Sequence, residues 1–142
     1  HPGNDEPRNL RKELMSYLSH LRVMIVDDMT TSRMLIRGAL EELGINQIAM
    51  AADGEQALKA LMVQPLPLVI SDFNMPKLDG LGLLRALRAD QPTSKCGFIL
   101  RTGKGDQALI DKAKPYGVAG YLAKPFTAPI VKAHIERIFG RM

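Results

Sequence analysis

Cysteine occurs once in the 142 residues, as Cys96, tryptophan not at all, and aromatic residues amount to 5%. One thiol excludes an intrachain disulfide framework, so an ordinary core must hold the fold, and a reducing, cytoplasmic setting is expected. The few aromatics and the missing tryptophan leave little with which to sandwich a flavin. No stretch approaches the ~18 consecutive apolar residues of a membrane span, and no basic-then-apolar secretory leader is present. Basic runs are missing too. The net charge is +4, yet Arg33, Arg37, Lys59, Arg85, Arg88, Lys112 and Lys132 lie scattered along the chain. A DNA-reading module would gather them on one element, so neither nucleic-acid binding nor membrane insertion is expected.

What is present is an average globular mixture, 46% hydrophobic and 24% charged, at the length of one domain. Residues 1–20 read as a polar N-terminal tail, with the part up to about Leu14 an expression scar or a mobile segment and Met15 an alternative start. Residues 21–142 read as the folded domain. Short apolar runs alternate there with amphipathic segments. Val23 to Val26, Gln47 to Ala51, Leu68 to Ser71, Phe98 to Leu100 and Ala119 to Ala123 read as strands. Thr30 to Leu43 carries Ile36, Leu40 and Leu43 at helical spacing and stops at Gly44. Gly54 to Met62 turns Leu58, Leu61 and Met62 to one side, and Leu81, Leu84 and Leu87 mark a third helix. A fourth runs from about Asp106 to Lys114, halted by Pro115 and Gly117, and the last turns Val131, Ile135 and Ile138 inward. The pattern is (βα)5. Strands apolar along their length are covered on both faces, which predicts an α/β fold with a doubly wound five-stranded parallel sheet.

Polar residues fall at particular places in that pattern. Asp27, Asp28, Asp72, Thr102 and Lys124 all follow the carboxyl ends of predicted strands, the edge where open parallel sheets bind ligands. Three carboxylates gathered there repel one another unless countered. Lys124 offers one positive charge, and a hard divalent cation such as Mg²⁺ suits carboxylates, a backbone carbonyl and retained waters. A site of that kind is completed by a phosphate oxygen, and so points to phosphoryl chemistry with Asp72 as nucleophile. Singly, each residue has an ordinary explanation: a helix cap for Asp28, a strand-end hydroxyl for Thr102, a solvated lysine for Lys124, a core ring for Tyr121. His20 and His134 lack ligand partners at suitable spacing and read as structural or surface residues. Only the constellation speaks for function.

Val26-Asp27-Asp28, Ser71-Asp72-Phe73-Asn74-Met75-Pro76, Asp79-Gly80, Thr102 and Lys124-Pro125-Phe126 occur in order at suitable separations, and together resemble the receiver domains of two-component response regulators. The resemblance covers Leu21 to about Phe139. Val69 to Gly80, Ala119-Gly120-Tyr121 and Phe126-Thr127-Ala128 are similar to the free-standing chemotaxis receivers in particular. The resemblance implies the flavodoxin-like strand order 2-1-3-4-5 and a monomer. Asp72 would be the phosphoacceptor, charged by a histidine kinase. Asp28, Asp72 and the main-chain carbonyl of Asn74 would ligate Mg²⁺, with Asp27 acting mainly through metal-bound water. Lys124 would bind a phosphoryl oxygen, Thr102 another, and Tyr121 would then rotate inward. The Lys124-Pro125 bond would be cis.

The resemblance further implies a phosphorylation-dependent switch without turnover of outside substrates: self-catalysed phosphotransfer and autodephosphorylation only. Its expected output is a flagellar motor switch protein; a phosphate sink or adaptor within a two-component pathway is the alternative. Departures from the family pattern are Gly103 after the switch threonine, Lys104 where near relatives carry an acid, and Lys114-Pro115-Tyr116 closing the predicted fourth helix. Asn74 and Lys104 are expected to border the path of the water that removes phosphate, and so to set its lifetime. A flavodoxin-like electron carrier would need a Ser/Thr/Gly phosphate loop where Asp27-Asp28 stands. A phosphatase acting on small molecules would need a cap or substrate loops that so short a chain does not display.

Overall fold

The computed structural model describes the backbone of residues 2–139 and the side chains of 10–139. Five strands form one parallel sheet: β1 (Arg22–Val26), β2 (Gln47–Ala51), β3 (Leu68–Asp72), β4 (Gly97–Thr102) and β5 (Gly120–Ala123). The order is β2-β1-β3-β4-β5, as expected, and the paired residues include Val26 with Ser71, Asp72 with Arg101 and Thr102 with Ala123. Helices α1 (Pro2–His20), α2 (Thr30–Glu42), α3 (Gly54–Val63), α4 (Gly80–Ala89), α5 (Gln107–Ala113) and α6 (Ala128–Phe139) cover it, with short 3-10 turns at Gln91–Thr93 and Lys114–Tyr116.

Alternate side chains of each strand enter different cores. Met24, Val26, Val69, Phe98 and Leu100 meet Leu61 of α3, Leu84 and Leu87 of α4 and Leu109 of α5. Val23, Ile25, Leu68, Ile70, Ile99 and Leu122 meet Ile36 and Leu40 of α2 and Val131 and Ile135 of α6. Both faces of the central strands are therefore dry, which is why Val23–Val26, Leu68–Ile70 and Phe98–Leu100 run apolar without a break. Met62, expected beside Leu58 and Leu61, is instead exposed at 41%. Leu58 and Leu61 already fill the turn against the sheet, and Met62 falls just past their stripe.

The N-terminal segment differs from its reading as a tail. Pro2–His20 is helical, and its last turns join the second core: Leu18 is buried, Leu14 and Tyr17 pack beside it, and the rings of Tyr17 and Phe139 lie 5.5 Å apart. The Gln47 side chain donates to the Ser19 carbonyl at 3.2 Å. Leu14, Tyr17, Leu18 and Leu21 form a helical stripe that the polarity and prolines of the flanking residues obscure in the sequence. His1 lies outside the described residues.

Local sequence sets up the loops at the carboxyl edge. Asp79 caps α4 by accepting from the Gly82 N–H at 2.8 Å, and Asp53 caps α3 through the Gln56 N–H at 2.7 Å. Gly80 has to be glycine, because a Cβ there would sit 2.4 Å from the Asp72 carbonyl oxygen. Its N–H donates to the Phe73 carbonyl at 2.9 Å, drawing the β3–α4 loop tight behind Asp72.

Candidate active site

The strand period carries past the dry core to the carboxyl edge and sorts the polar residues by face. Val23 and Ile25 lead to Asp27, Leu68 and Ile70 to Asp72, Ile99 to Arg101 and Leu122 to Lys124, all toward the α2 and α6 side. Phe98 and Leu100 lead to Thr102 on the opposite side, where Tyr121 also packs.

Asp27, Asp28 and Asp72 converge, with one carboxylate oxygen from each within 4.8 Å of the others. Asp27 is fully buried, the Asp72 side chain is 13% exposed, and Asp28 faces solvent. Lys124 Nζ lies 3.7 Å from Asp72 Oδ1, an oxygen that also accepts from the Phe73 N–H at 2.9 Å. Burial pushes the Asp72 carboxyl above the usual carboxylate range; nearby Asp27 pushes the same way, while Lys124, Arg101 and the Phe73 N–H oppose it. A carboxylate so placed is held by one cation and repelled by its anionic neighbours. The donor set is all oxygen, three carboxylates with an open mouth, and fits a hard divalent cation that keeps some of its water.

The remaining expected residues are arranged around this cluster. The Lys124-Pro125 bond is cis, and the Lys124 N–H donates to the Thr102 carbonyl at 3.3 Å. Thr102 is 5% exposed; among the described residues its hydroxyl makes no hydrogen bond. The Tyr121 hydroxyl donates to the Ile110 carbonyl of α5 at 3.3 Å, so the ring is tethered on the α5 side, away from the carboxylates. Asn74 is exposed two residues beyond Asp72, and Lys104 is exposed on a loop between Gly103 and Gly105, the latter at φ +83°. Lys104 forms no ion pair among the described residues. His134 is packed under Gly120, where a Cβ would meet its Nδ1 at 2.4 Å, and burial with nearby Arg137 lowers its pKa.

Sequence reasoning missed two cations. Arg101, 4% exposed, donates through Nη1 to Asp27 Oδ2 in a buried ion pair, and its guanidinium stands over the Phe126 ring at 5.7 Å from the centroid. Arg33 of α2 donates to the Asp27 main-chain carbonyl at 2.6 Å. A signal for Arg101 was available: it occupies a core-facing position of β4, two beyond Ile99, where an unpaired charge would be too costly to bury. Arg33 carries no such mark, since an arginine in the first turn of a surface helix is ordinary.

The family model for the response regulator receiver domain matches residues 23–136, and the chain belongs to that family of signalling domains. It is 50% identical over 128 residues to a probable chemotaxis protein CheY of Rhizobium etli, covering 90% of this chain and 99% of the relative. Chemotaxis protein CheY4 of Vibrio cholerae superposes with a TM-score of 0.76 at 26% identity, over 83% of this chain and 98% of its own. The receiver domain of sensor histidine kinase PA1611 from Pseudomonas aeruginosa, solved with a magnesium ion coordinated in its active site cleft, has a TM-score of 0.76 at 27% identity, over 84% of this chain and 98% of that one. No helix among the described residues is long and apolar enough to cross a membrane.

Proposed function

We propose that this receiver is a phosphorylation-dependent switch in which Asp72 accepts the phosphoryl group of a histidine kinase phosphohistidine. The observation that carries the reading is the convergence of Asp27, Asp28 and Asp72 within 4.8 Å, with Lys124 3.7 Å from Asp72. An Asp72 oxygen attacks phosphorus, the phosphorus–nitrogen bond breaks, and the departing imidazole takes up a proton, leaving an acyl phosphate on Asp72. Lys124, already at the nucleophile, neutralises one phosphoryl oxygen. Asp28, Asp72 and the Asn74 main-chain carbonyl would hold Mg²⁺, with Asp27 reaching it through water; when bound, the ion supplies positive charge to the other phosphoryl oxygens. Hydrolysis returns Asp72 and releases phosphate, with no other substrate turned over.

Phosphate shifts the domain only through contacts that differ between its states. The Thr102 hydroxyl, buried at the end of β4, is free to donate to a phosphoryl oxygen. Tyr121 must give up its bond to the Ile110 carbonyl before turning inward, which couples the site to the α5–β5 surface. A hundredfold population shift needs about 2.7 kcal/mol, and one charge-assisted hydrogen bond of ~1.5–3 kcal/mol supplies most of it. The chemotaxis proteins among its relatives support a cytoplasmic role in chemotaxis with a flagellar motor switch protein as partner.

Labelling from a phosphodonor tests the chemistry. Wild type should label only with Mg²⁺, and Asp72→Asn should not label; full labelling of that variant would sink the assignment. Asp28→Ala should weaken Mg²⁺ binding, while Lys124→Ala should spare it and slow transfer. Capture of purified motor switch protein by the domain carrying a phosphoryl mimic, and not by the unmodified domain, supports the motor role. Equal capture in both states refutes it and leaves the phosphate-sink role.

A further inference from the structure

Asp27 has both carboxylate oxygens engaged: Oδ1 accepts from the Met29 N–H at 2.9 Å, and Oδ2 accepts from Arg101. Arg101 is 4% exposed, and its Nε is buried with no hydrogen-bond partner. A guanidinium so placed loses most of its hydration for a single carboxylate, an arrangement that contributes little to stability. It is, however, a permanent positive charge inside the group of acids that would hold a cation. Three carboxylates with Arg101 and Lys124 leave the cluster one negative charge in excess, where without Arg101 there would be two. Arg101 also borders the groove between α2 and the start of α6, lined by Ser32, Gly38 and Phe126, so a released guanidinium has space there.

We propose that Arg101 is the resident counter-ion of Asp27 in the metal-free site and competes with the divalent cation for it, holding metal affinity below what the three carboxylates would otherwise reach. The proposal rests on the metal-binding reading of the site given above. Arg101 and the Met29 N–H hold the Asp27 carboxylate in place without metal, and a cation entering beside Asp28 and Asp72 must overcome the guanidinium's repulsion or turn it into the groove. Since Arg101 immediately precedes Thr102, that movement would reach the end of β4 before any phosphate arrives.

Calorimetric titration with Mg²⁺ of wild type, Arg101→Leu, Arg101→Gln and Arg101→Lys tests this, with circular dichroism reporting the fold. Arg101→Leu should bind Mg²⁺ about tenfold more tightly, equivalent to about 1.4 kcal/mol. Arg101→Gln, neutral but still able to donate to Asp27, should do the same and carries the test if the leucine variant does not fold. Arg101→Lys should stay near wild type, which separates charge from shape. In chelator, Arg101→Leu should melt below wild type, and Mg²⁺ should raise its melting temperature by more than it raises that of wild type. Unchanged or weaker Mg²⁺ binding by the folded neutral variants overturns the competition while the metal site stands. Binding of Mg²⁺ by none of the four proteins overturns the metal reading, and the inference with it.

Discussion

Replacing Asp72 by asparagine should make the metal-free protein more stable at neutral pH while abolishing phosphorylation. Asp72 has two carboxylate neighbours with oxygens within 4.8 Å, and each repels it by about 3.5 kcal/mol at an effective dielectric near 20. Lys124 at 3.7 Å offsets about 4.5 kcal/mol on the same basis. Arg101, the Phe73 N–H and the water around exposed Asp28 offset the rest, so the neighbouring charges roughly cancel and burial of the carboxylate leaves a net cost on the order of 1 kcal/mol. The raised Asp72 pKa, caused first by burial, has the same sign. A carboxyl whose native pKa is raised contributes stability that is complete below its unfolded pKa near 4 and is lost as pH rises through the native value. Asparagine removes that loss and can still accept from the Phe73 N–H. In chelator, Asp72→Asn should therefore melt about 4 °C above wild type at pH 7.5, with the gain shrinking toward zero as pH approaches 4. Added Mg²⁺ should narrow the gap, since wild type gains more from the ion. Calorimetric melts across that pH range decide the matter. A variant no more stable than wild type at pH 7.5, or a gain independent of pH, would refute the electrostatic account.

Thr102→Ala should still take phosphate on Asp72 but lose most of the phosphorylation-dependent gain in partner binding; a wild-type response to a phosphoryl mimic in a binding titration contradicts its switch role. Lys104→Ala and Lys104→Glu should speed spontaneous dephosphorylation several-fold with little change in Mg²⁺ affinity, measured as decay of the phosphorylated protein free of kinase. Unchanged decay in both returns Lys104 to the solvent that its exposure already allows. Gly80→Ala should destabilise the fold by about 1–3 kcal/mol, because the added methyl meets backbone that cannot yield, and should lower labelling of Asp72 by shifting the loop behind it. Denaturant melts and labelling at matched folded fraction test both effects.

The chain itself determines its fold class, because dryness on both faces of a parallel sheet is written as uninterrupted apolar runs and the intervening helices as 3.6-residue periodicity. It determines the acidic site almost as directly, since Asp72 ends a strand, Asp27, Asp28 and Lys124 follow one, and parallel topology gathers strand ends on one edge. Other features depend on the tertiary structure. Helix α1 is recognised by its docking: Leu14, Tyr17 and Leu18 acquire meaning only beside Phe139 and the second core, from the far end of the chain. Met62 could be sorted from Leu58 and Leu61 only once the width of the buried stripe was set by the sheet. The same holds for Arg101. Its parity marks it as core-facing, but which acid receives it depends on where β1 ends relative to β4, with β3 lying between them. Local pattern decides what each segment becomes, because backbone geometry and burial act over a few residues. Which charges compensate one another is decided by through-space distance, and that is settled only when the strands have paired.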